Sequence, residues 1–83
     1  MGLPDENSVV ALKDYGSITF HFKEVMDAKG ISRNKLASLT GIRFEVADRW
    51  YAGDIERMDM DVLARVCYAL DCAVGDVMGY DRV

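Results

Sequence analysis

Apolar residues at helical spacing, repeatedly interrupted by glycine, are the feature that most constrains how this chain can fold. The clearest run lies in the last third of the sequence, at positions i, i+3, i+4 and i+7: Leu63, Val66, Cys67 and Leu70. This spacing puts the four side chains on one side of an α-helix, which buries that side against other elements. Because 83 residues leave room for only one core, the pattern predicts a single small all-α domain.

Shorter helical segments lie before and after this run, and each is bounded by residues that favour helix ends. Ser32 is a suitable N-cap because its hydroxyl can accept a free backbone N–H of the next turn, and Asp59 is another. Gly30 and Gly41 end the helices before them. We expect a compact bundle of four to five short helices, at about residues 22–29, 33–40, 43–51, 60–70 and 74–78.

The two ends of the chain follow other patterns. Between Ile18 and Phe22 apolar residues alternate with polar ones, which indicates a short strand or an extended lead-in to the first helix. Residues 80–83 either add a strand or trail from the domain. Residues 1–16 show no clean period, so we expect a partly ordered N-terminal arm there, followed by the folded domain at residues 17–83.

The segment from Ala37 to Trp50 fits two helices that meet at a steep angle. Ala37 is small enough to let two helix backbones approach each other. Gly41, four residues later, tolerates the positive φ that a tight turn requires. Ile42 follows, and with Ala47 and Trp50 it can pin the second helix of the pair to the first. This is the spacing of a helix-turn-helix.

The net charge of −4 opposes binding to a polyanion, but the charges are distributed unevenly. Residues 13–50 carry seven basic and five acidic side chains, whereas residues 51–83 carry three basic and seven acidic ones. The middle of the chain is therefore mildly basic, and the acidic excess of the last third is most simply a solvated surface. This distribution weakens the case for a nucleic-acid partner without removing it.

Several classes of function find no support in the sequence. It shows no paired base and nucleophile, no glycine-rich phosphate loop and no carboxylate pair in a predicted cleft, so we do not expect an enzyme. Cys67 and Cys72 lack the spacing of a redox or metal motif and His21 is alone, so we expect neither a metal nor a cofactor. Reduced thiols, no signal peptide and no membrane-length apolar run predict a cytoplasmic protein that does not enter the membrane.

Two blocks of the sequence resemble a known protein family. The first runs from Gly30-Ile31-Ser32 through Lys35-Leu36-Ala37 and Thr40-Gly41-Ile42 to Trp50 and Gly53, and the second comprises Leu63-Ala64-Arg65-Val66-Cys67-Tyr68-Ala69-Leu70-Asp71-Cys72 and Gly75-Asp76-Val77-Met78. Over about residues 18–80 the chain is similar to the Xre-type, lambda-repressor/Cro-like helix-turn-helix regulators, especially the short ones of bacteria and phages. The resemblance implies a lambda-repressor-like domain of five short helices, of which the second and third read DNA.

The resemblance also implies a function and partners. It points to a sequence-specific transcription regulator, a repressor, that binds double-stranded DNA as a homodimer and reads the major groove with its third helix. One copy offers few basic groups to phosphate, and two copies on half-sites about one helical turn apart double that number. We expect the dimer contact in free arms at residues 1–20 and 79–83, with strand pairing as one way to form it.

The residues that contact DNA follow from the same resemblance, position by position. The base-facing positions of the third helix hold Arg43, Phe44, Glu45 and Arg49. An arginine can donate two hydrogen bonds to O6 and N7 of guanine, a glutamate can accept from the amino group of cytosine, and a phenylalanine can pack on the thymine methyl. For Phe44, an edge contact with the second helix or with a partner is an equal alternative. The expected phosphate contacts are Arg33, Asn34, Lys35 and Arg57.

Departures from the family pattern leave an alternative function open. Arg43 stands where the family commonly has a Ser or Thr cap, so the third helix is expected to fray or to start one residue later. Ala47 replaces a larger aliphatic residue. Glu45 and Asp48 bring two carboxylates to the groove-facing helix, which opposes attraction to phosphate. The alternative is a helix-turn-helix protein-interaction module that no longer binds DNA. Its contact residues are expected to be Phe44 and Tyr51.

Overall fold

The computed structural model describes residues 15–82, so most of the predicted N-terminal arm at residues 1–16 lies outside the described part. Within that part the chain forms two strands and five helices: β1 (Ser17–Phe20), α1 (Phe22–Lys29), α2 (Arg33–Thr40), α3 (Phe44–Ala52), α4 (Met60–Leu70), α5 (Val74–Val77) and β2 (Met78–Asp81). The helix bounds differ from the predicted ones by at most one residue. A bundle of short helices with a small sheet formed by the ends confirms the predicted fold class.

All five of these helices contribute to one core. Its buried apolar side chains are Phe22, Met26, Leu36, Ala47, Trp50, Leu63, Val66, Leu70 and Val77. The ring centroids of Phe22 and Trp50 lie 5.0 Å apart in the tilted arrangement that aromatic pairs prefer. Burying a large apolar side chain contributes about 1.5–3 kcal/mol to stability. Trp50 is only 5% exposed, which confirms its predicted place in the core.

Local hydrogen bonds explain where the helices begin and end. Oγ of Ser32 accepts the backbone N–H of Lys35 at 3.1 Å, and Oδ1 of Asp59 accepts the backbone N–H of Asp61 at 2.8 Å. Gly41 follows α2 with a φ of +77°, the left-handed conformation that glycine adopts without steric cost. These caps are the ones expected from the sequence.

The two strands pair with each other, which corrects two expectations. β1 and β2 are antiparallel, with Phe20 opposite Met78. Met78 thus belongs to β2 and not to the last helix, because its backbone is extended (φ −137°) and the N–H of His21 donates to the carbonyl of Val77 at 2.7 Å. The expectation of free arms is wrong for both strands, since each has its partner in the same chain. The remainder of the expected dimer contact, at residues 1–14, lies outside the described part.

Because the core on the inner side of α3 is tightly packed, we expect a larger side chain there to destabilise the fold. Ala47 is fully buried, so an Ala47→Leu variant must place extra carbon atoms where the core has no space. We expect a loss of roughly 1–3 kcal/mol in the free energy of unfolding. Urea denaturation, followed by the fluorescence of the single tryptophan, measures it.

The matched control is Ala52→Leu, because Ala52 is an exposed residue of the same helix. Substitutions on the surface of a helix change stability by less than about 0.5 kcal/mol. Equal stabilities for the two variants would show that the core beneath α3 has room for a larger side chain.

Candidate nucleic-acid interface

α2 and α3 form the helix-turn-helix, and hydrogen bonds hold the turn at residues 41–43 in place. The N–H of Ile42 donates to Oγ1 of Thr40 at 3.4 Å, and the carbonyl of Thr40 accepts from Nη1 of Arg65 on α4 at 3.3 Å. The side chain of Ile42 is half-buried against the core. The turn is therefore tied to α4 and to the core, which sets the direction in which α3 leaves it.

α3 begins at Phe44 because Arg43 has an extended backbone, with φ −73° and ψ 153°. The carbonyl of Arg43 accepts the N–H groups of Val46 at 3.0 Å and Ala47 at 3.2 Å, so the backbone alone starts the helix. As expected for an arginine, the side chain makes no capping hydrogen bond. It is exposed and available to another partner.

The outer face of α3 is polar. Helical geometry places four side chains within an arc of about 100°, on the side opposite the buried residues of α3: Glu45, Asp48, Arg49 and Ala52. The residues predicted to face DNA bases are all exposed: Arg43, Phe44, Glu45 and Arg49. Phe44 lies at the edge of this face, and its side chain is 41% exposed. Glu45 and Arg49 thus lie together on the outer face of α3, and Arg43 is exposed at the residue before the helix.

Arg33, the first residue of α2, reaches across to α3. Its Nη1 lies 2.5 Å from Oδ1 of Asp48. Its guanidinium carbon lies 5.7 Å from the ring centroid of Phe44 and 5.3 Å from that of Tyr51, distances at which a cation is attracted to an aromatic ring. One carboxylate and two rings, all from α3, therefore hold this guanidinium. The phosphate contact expected of Arg33 stays a prediction, made by a side chain that already has partners in the protein.

The same contacts continue to α1. The hydroxyl of Tyr51 donates to Oδ1 of Asp27 at 3.0 Å, and Nζ of Lys23 donates to Oδ2 of Asp27 at 3.0 Å. The hydrogen bond from Lys23, with that from Tyr51, lowers the pKa of Asp27, and the hydrogen bond to Asp27 raises the pKa of Lys23. We call the connected side chains the interhelix network: Lys23, Asp27, Arg33, Phe44, Asp48 and Tyr51.

The other predicted phosphate contacts lie in two places. Asn34 and Lys35 are exposed in the first turn of α2. Arg57 is exposed in the loop after α3, where it lines a groove of about 530 Å³ together with Arg49. The groove is also lined by apolar and acidic side chains: Val46, Trp50, Ile55, Val62, Asp54, Glu56 and Asp59. Arg57 and Arg49 thus line the same groove, which also has acidic side chains in its lining.

The surface formed by α2 and α3 is more basic than the net charge of −4 suggests. Among residues 15–82, the ion pairs to carboxylates use Lys23, Arg33 and Arg65. Four basic side chains of the predicted interface therefore remain unpaired within that range: Lys35, Arg43, Arg49 and Arg57. Asp48 is paired with Arg33, so Glu45 is the unpaired carboxylate on the outer face of α3.

Sequence reasoning missed the ion pairs and hydrogen bonds of the interhelix network, although a contact with α2 was one of its alternatives for Phe44. The spacing of Lys23 and Asp27, i and i+4 on one helix, is a signal that predicts their ion pair. Arg33 and Asp48 are 15 residues apart, and their contact depends on how α2 packs on α3. No local spacing indicates it, so Asp48 looked like an obstacle to DNA when in fact it has a basic partner.

Other classes of site are not evident in the described part of the chain. Cys67 and Cys72 are free thiols. Residues 15–82 contain no group of three or more His, Cys, Asp and Glu side chains arranged to hold a metal ion. None of the helices in that range is both long and apolar enough to span a bilayer.

Comparison with protein families assigns the domain. A family model described as a Cro/C1-type HTH DNA-binding domain matches residues 21–82, which includes every element from α1 to β2. No curated protein and no solved structure matches the chain. The matched range contains all eight residues predicted to contact DNA. The chain belongs to the Cro/C1-type helix-turn-helix DNA-binding domain family, which confirms the resemblance found in its sequence.

Proposed function

We propose that this Cro/C1-type domain is a sequence-specific transcription regulator that places α3 in the major groove of double-stranded DNA. The observation that carries the proposal is the outer face of α3, where Glu45 and Arg49 are exposed together, with Arg43 exposed at the residue before the helix. The major groove of B-DNA admits an α-helix, and each base pair presents there a distinct set of donors and acceptors. The family match supports DNA binding, and the geometry of α3 supports the groove-reading role.

The chemistry of these side chains suggests what each one reads. Arg43 and Arg49 can each donate two hydrogen bonds to O6 and N7 of a guanine. Glu45 can accept a hydrogen bond from the amino group of a cytosine, which would supply a donor to a carboxylate that has no basic partner at this surface. Phe44 packs one side against Arg33 and can offer its exposed remainder to a thymine methyl. The proposed target is therefore a site that contains G·C pairs opposite α3.

Phosphate contacts come from both sides of α3. Asn34 and Lys35 lie in the first turn of α2, where free N–H groups and the helix dipole favour an anion. On the other side, Arg57 and Arg49 line the same groove. Contacts of this kind fix the register of a protein on the duplex without reading its sequence.

We further propose that the protein binds DNA as a homodimer. A single copy offers few unpaired basic side chains, and affinity for DNA at physiological salt rises with the number of phosphates neutralised. Two copies bound one helical turn apart double that number without any change in the domain. The paired strands β1 and β2 leave their outer edges unpaired within residues 15–82, so strand addition from a second copy is one possible contact.

We propose repression as the regulatory outcome. A domain that occupies its site excludes other proteins from it, and repression needs no further activity. A transcription regulator works where the chromosome lies, and the resemblance to bacterial and phage regulators therefore makes the cytoplasm the proposed location.

The first test of DNA binding removes the proposed guanine contacts. We expect Arg43→Ala combined with Arg49→Ala to weaken binding to a duplex selected from random DNA by roughly a hundredfold, since each bidentate contact is worth about 1–3 kcal/mol. Fluorescence anisotropy titrations at several salt concentrations measure the affinity and the number of phosphates neutralised.

The control is Lys29→Ala combined with Arg82→Ala, which removes two positive charges from outside the α2–α3 surface. This variant should bind within about threefold of the wild type, because distant exposed charges are screened. The proposal fails if the two double variants bind alike, or if wild-type binding is insensitive to salt.

The homodimer is tested by stoichiometry and spacing. We expect two copies per duplex in sedimentation experiments when the selected site contains two half-sites about 10 base pairs apart. Inserting about five base pairs between them turns one half-site to the opposite side of the helix and should abolish joint binding. One copy per site, with no dependence on spacing, contradicts the dimer.

One observation favours the second candidate function, a protein-interaction module. Acidic side chains surround the two arginines of the groove, namely Asp54, Glu56 and Asp59, and they oppose attraction to phosphate. Tyr51 contributes less to this alternative than the sequence suggested, since it is half-buried and bound to Asp27. Failure of the purified wild-type protein to enrich any DNA sequence, at salt concentrations low enough for nonspecific binding, would favour this function over DNA recognition.

A further inference from the structure

Three residues of α3 form a stripe along one edge of its outer face, on one flank of the helix. Phe44, Asp48 and Tyr51 are spaced i, i+4 and i+7, so they follow one another along one flank of α3. All three contact the guanidinium of Arg33. One side chain at the start of α2 thus holds two full turns of the helix proposed to read DNA.

The contacts suit an arginine in particular. A guanidinium is planar and weakly hydrated, so aromatic rings can lie against its faces while its N–H groups reach a carboxylate in its plane. Here the two rings lie 5.7 Å and 5.3 Å from its central carbon, and the carboxylate oxygen lies 2.5 Å from one of its nitrogens. A lysine ammonium supplies the same charge but cannot lie flat against two rings.

The interhelix network also connects α3 to a third helix, α1. Tyr51 donates its hydroxyl hydrogen to Asp27, and Asp27 is also bound by Lys23. α1, α2 and α3 are therefore linked on the surface, on the flank of α3 next to its outer face. A rotation of α3 about its own axis would break the contacts of Arg33 and move Glu45 and Arg49 together.

We propose that Arg33 is a positioning residue, which keeps Phe44, Asp48 and Tyr51 as its partners when DNA is bound and makes no phosphate contact. Its role is to fix the rotation of α3, so that the base-facing side chains meet their bases. The inference rests on the proposed function, because it assigns a role in sequence-specific binding. It departs from the phosphate contact that the family resemblance implied for this position.

The direct test needs no variant. Nuclear magnetic resonance of the Arg33 side chain, in the free protein and bound to a duplex selected from random DNA, reports on the two rings. We expect an upfield ring-current shift in the free protein that persists on binding. Loss of that shift on binding, with a downfield move of the Arg33 N–H signals, would overturn the proposal. If no duplex is selected, the proposed function fails, while the free protein still reports on the contacts of Arg33.

Variants separate positioning from charge. Arg33→Ala should weaken binding to the selected duplex about tenfold and to a random duplex by less than about twofold, because nonspecific binding does not need aligned bases. Arg33→Lys should resemble Arg33→Ala, since the ammonium keeps the charge and loses the stacking. The proposal fails if Arg33→Lys binds like the wild type, or if Arg33→Ala weakens binding to both duplexes by the same factor.

Lys35→Ala is the matched control, because Lys35 lies two residues away on α2 and is a proposed phosphate contact. It should weaken binding to both duplexes by a similar factor and reduce the salt dependence by about one phosphate. Circular dichroism checks that each variant is folded. If Arg33→Ala is unfolded, the comparison of Arg33→Lys with the wild type and the resonance experiment decide the question.

Discussion

The burial of Ala47 and Trp50, on the inner side of α3, is the interaction on which the rest of the structure depends. Both side chains are in the core, and the Trp50 ring packs 5.0 Å from that of Phe22 on α1. A nine-residue helix has little stability alone, so tertiary packing must hold it in place. Once these two residues face inward, helical geometry turns Glu45 and Arg49 outward. The position of the candidate interface is therefore a consequence of the core.

Electrostatics at the interface depend on how charges are paired more than on how many there are. The chain has a net charge of −4, and a simple count of charges argues against a polyanionic partner. In the folded domain, Asp48 is paired with Arg33 and Asp27 with Lys23, on or beside the α2–α3 surface. Surface pairs of this kind add little to stability, about 0–1 kcal/mol each. They matter here because a paired carboxylate opposes phosphate less than a free one.

Much of the fold could be predicted because its signals are local. Helix ends follow from single residues such as Ser32, Gly41 and Asp59, whose side chains or backbone conformations act within one turn. The inward faces follow from helical spacing. The pairing of β1 with β2 could not be predicted, because alternation indicates a strand without naming its partner. For the same reason, the sequence predicts free arms where residues 17–20 and 79–81 are in fact paired.

The candidate site shows the same limit. Exposure of Glu45 and Arg49 follows from the helical period of α3, so the sequence was sufficient to predict it. The contacts of Arg33 were not predictable, since they join residues of two helices through a packing angle that no local pattern specifies. The sequence also presented Asp48 as a carboxylate that opposes attraction to phosphate, although its side chain is paired with Arg33.

The small side chain of Ala47 suits a helix that makes different contacts on three sides. The inner side of α3 packs on the core and the outer side faces solvent. The flank between them contacts the guanidinium of Arg33. A larger aliphatic residue at position 47 would need space in the core that also holds Trp50 and Phe22, and would lift the inner side. Lifting it would change the angle at which the flank meets Arg33. With the proposed positioning role of Arg33, the alanine and the arginine constrain the same orientation of one helix, from beneath and from the side.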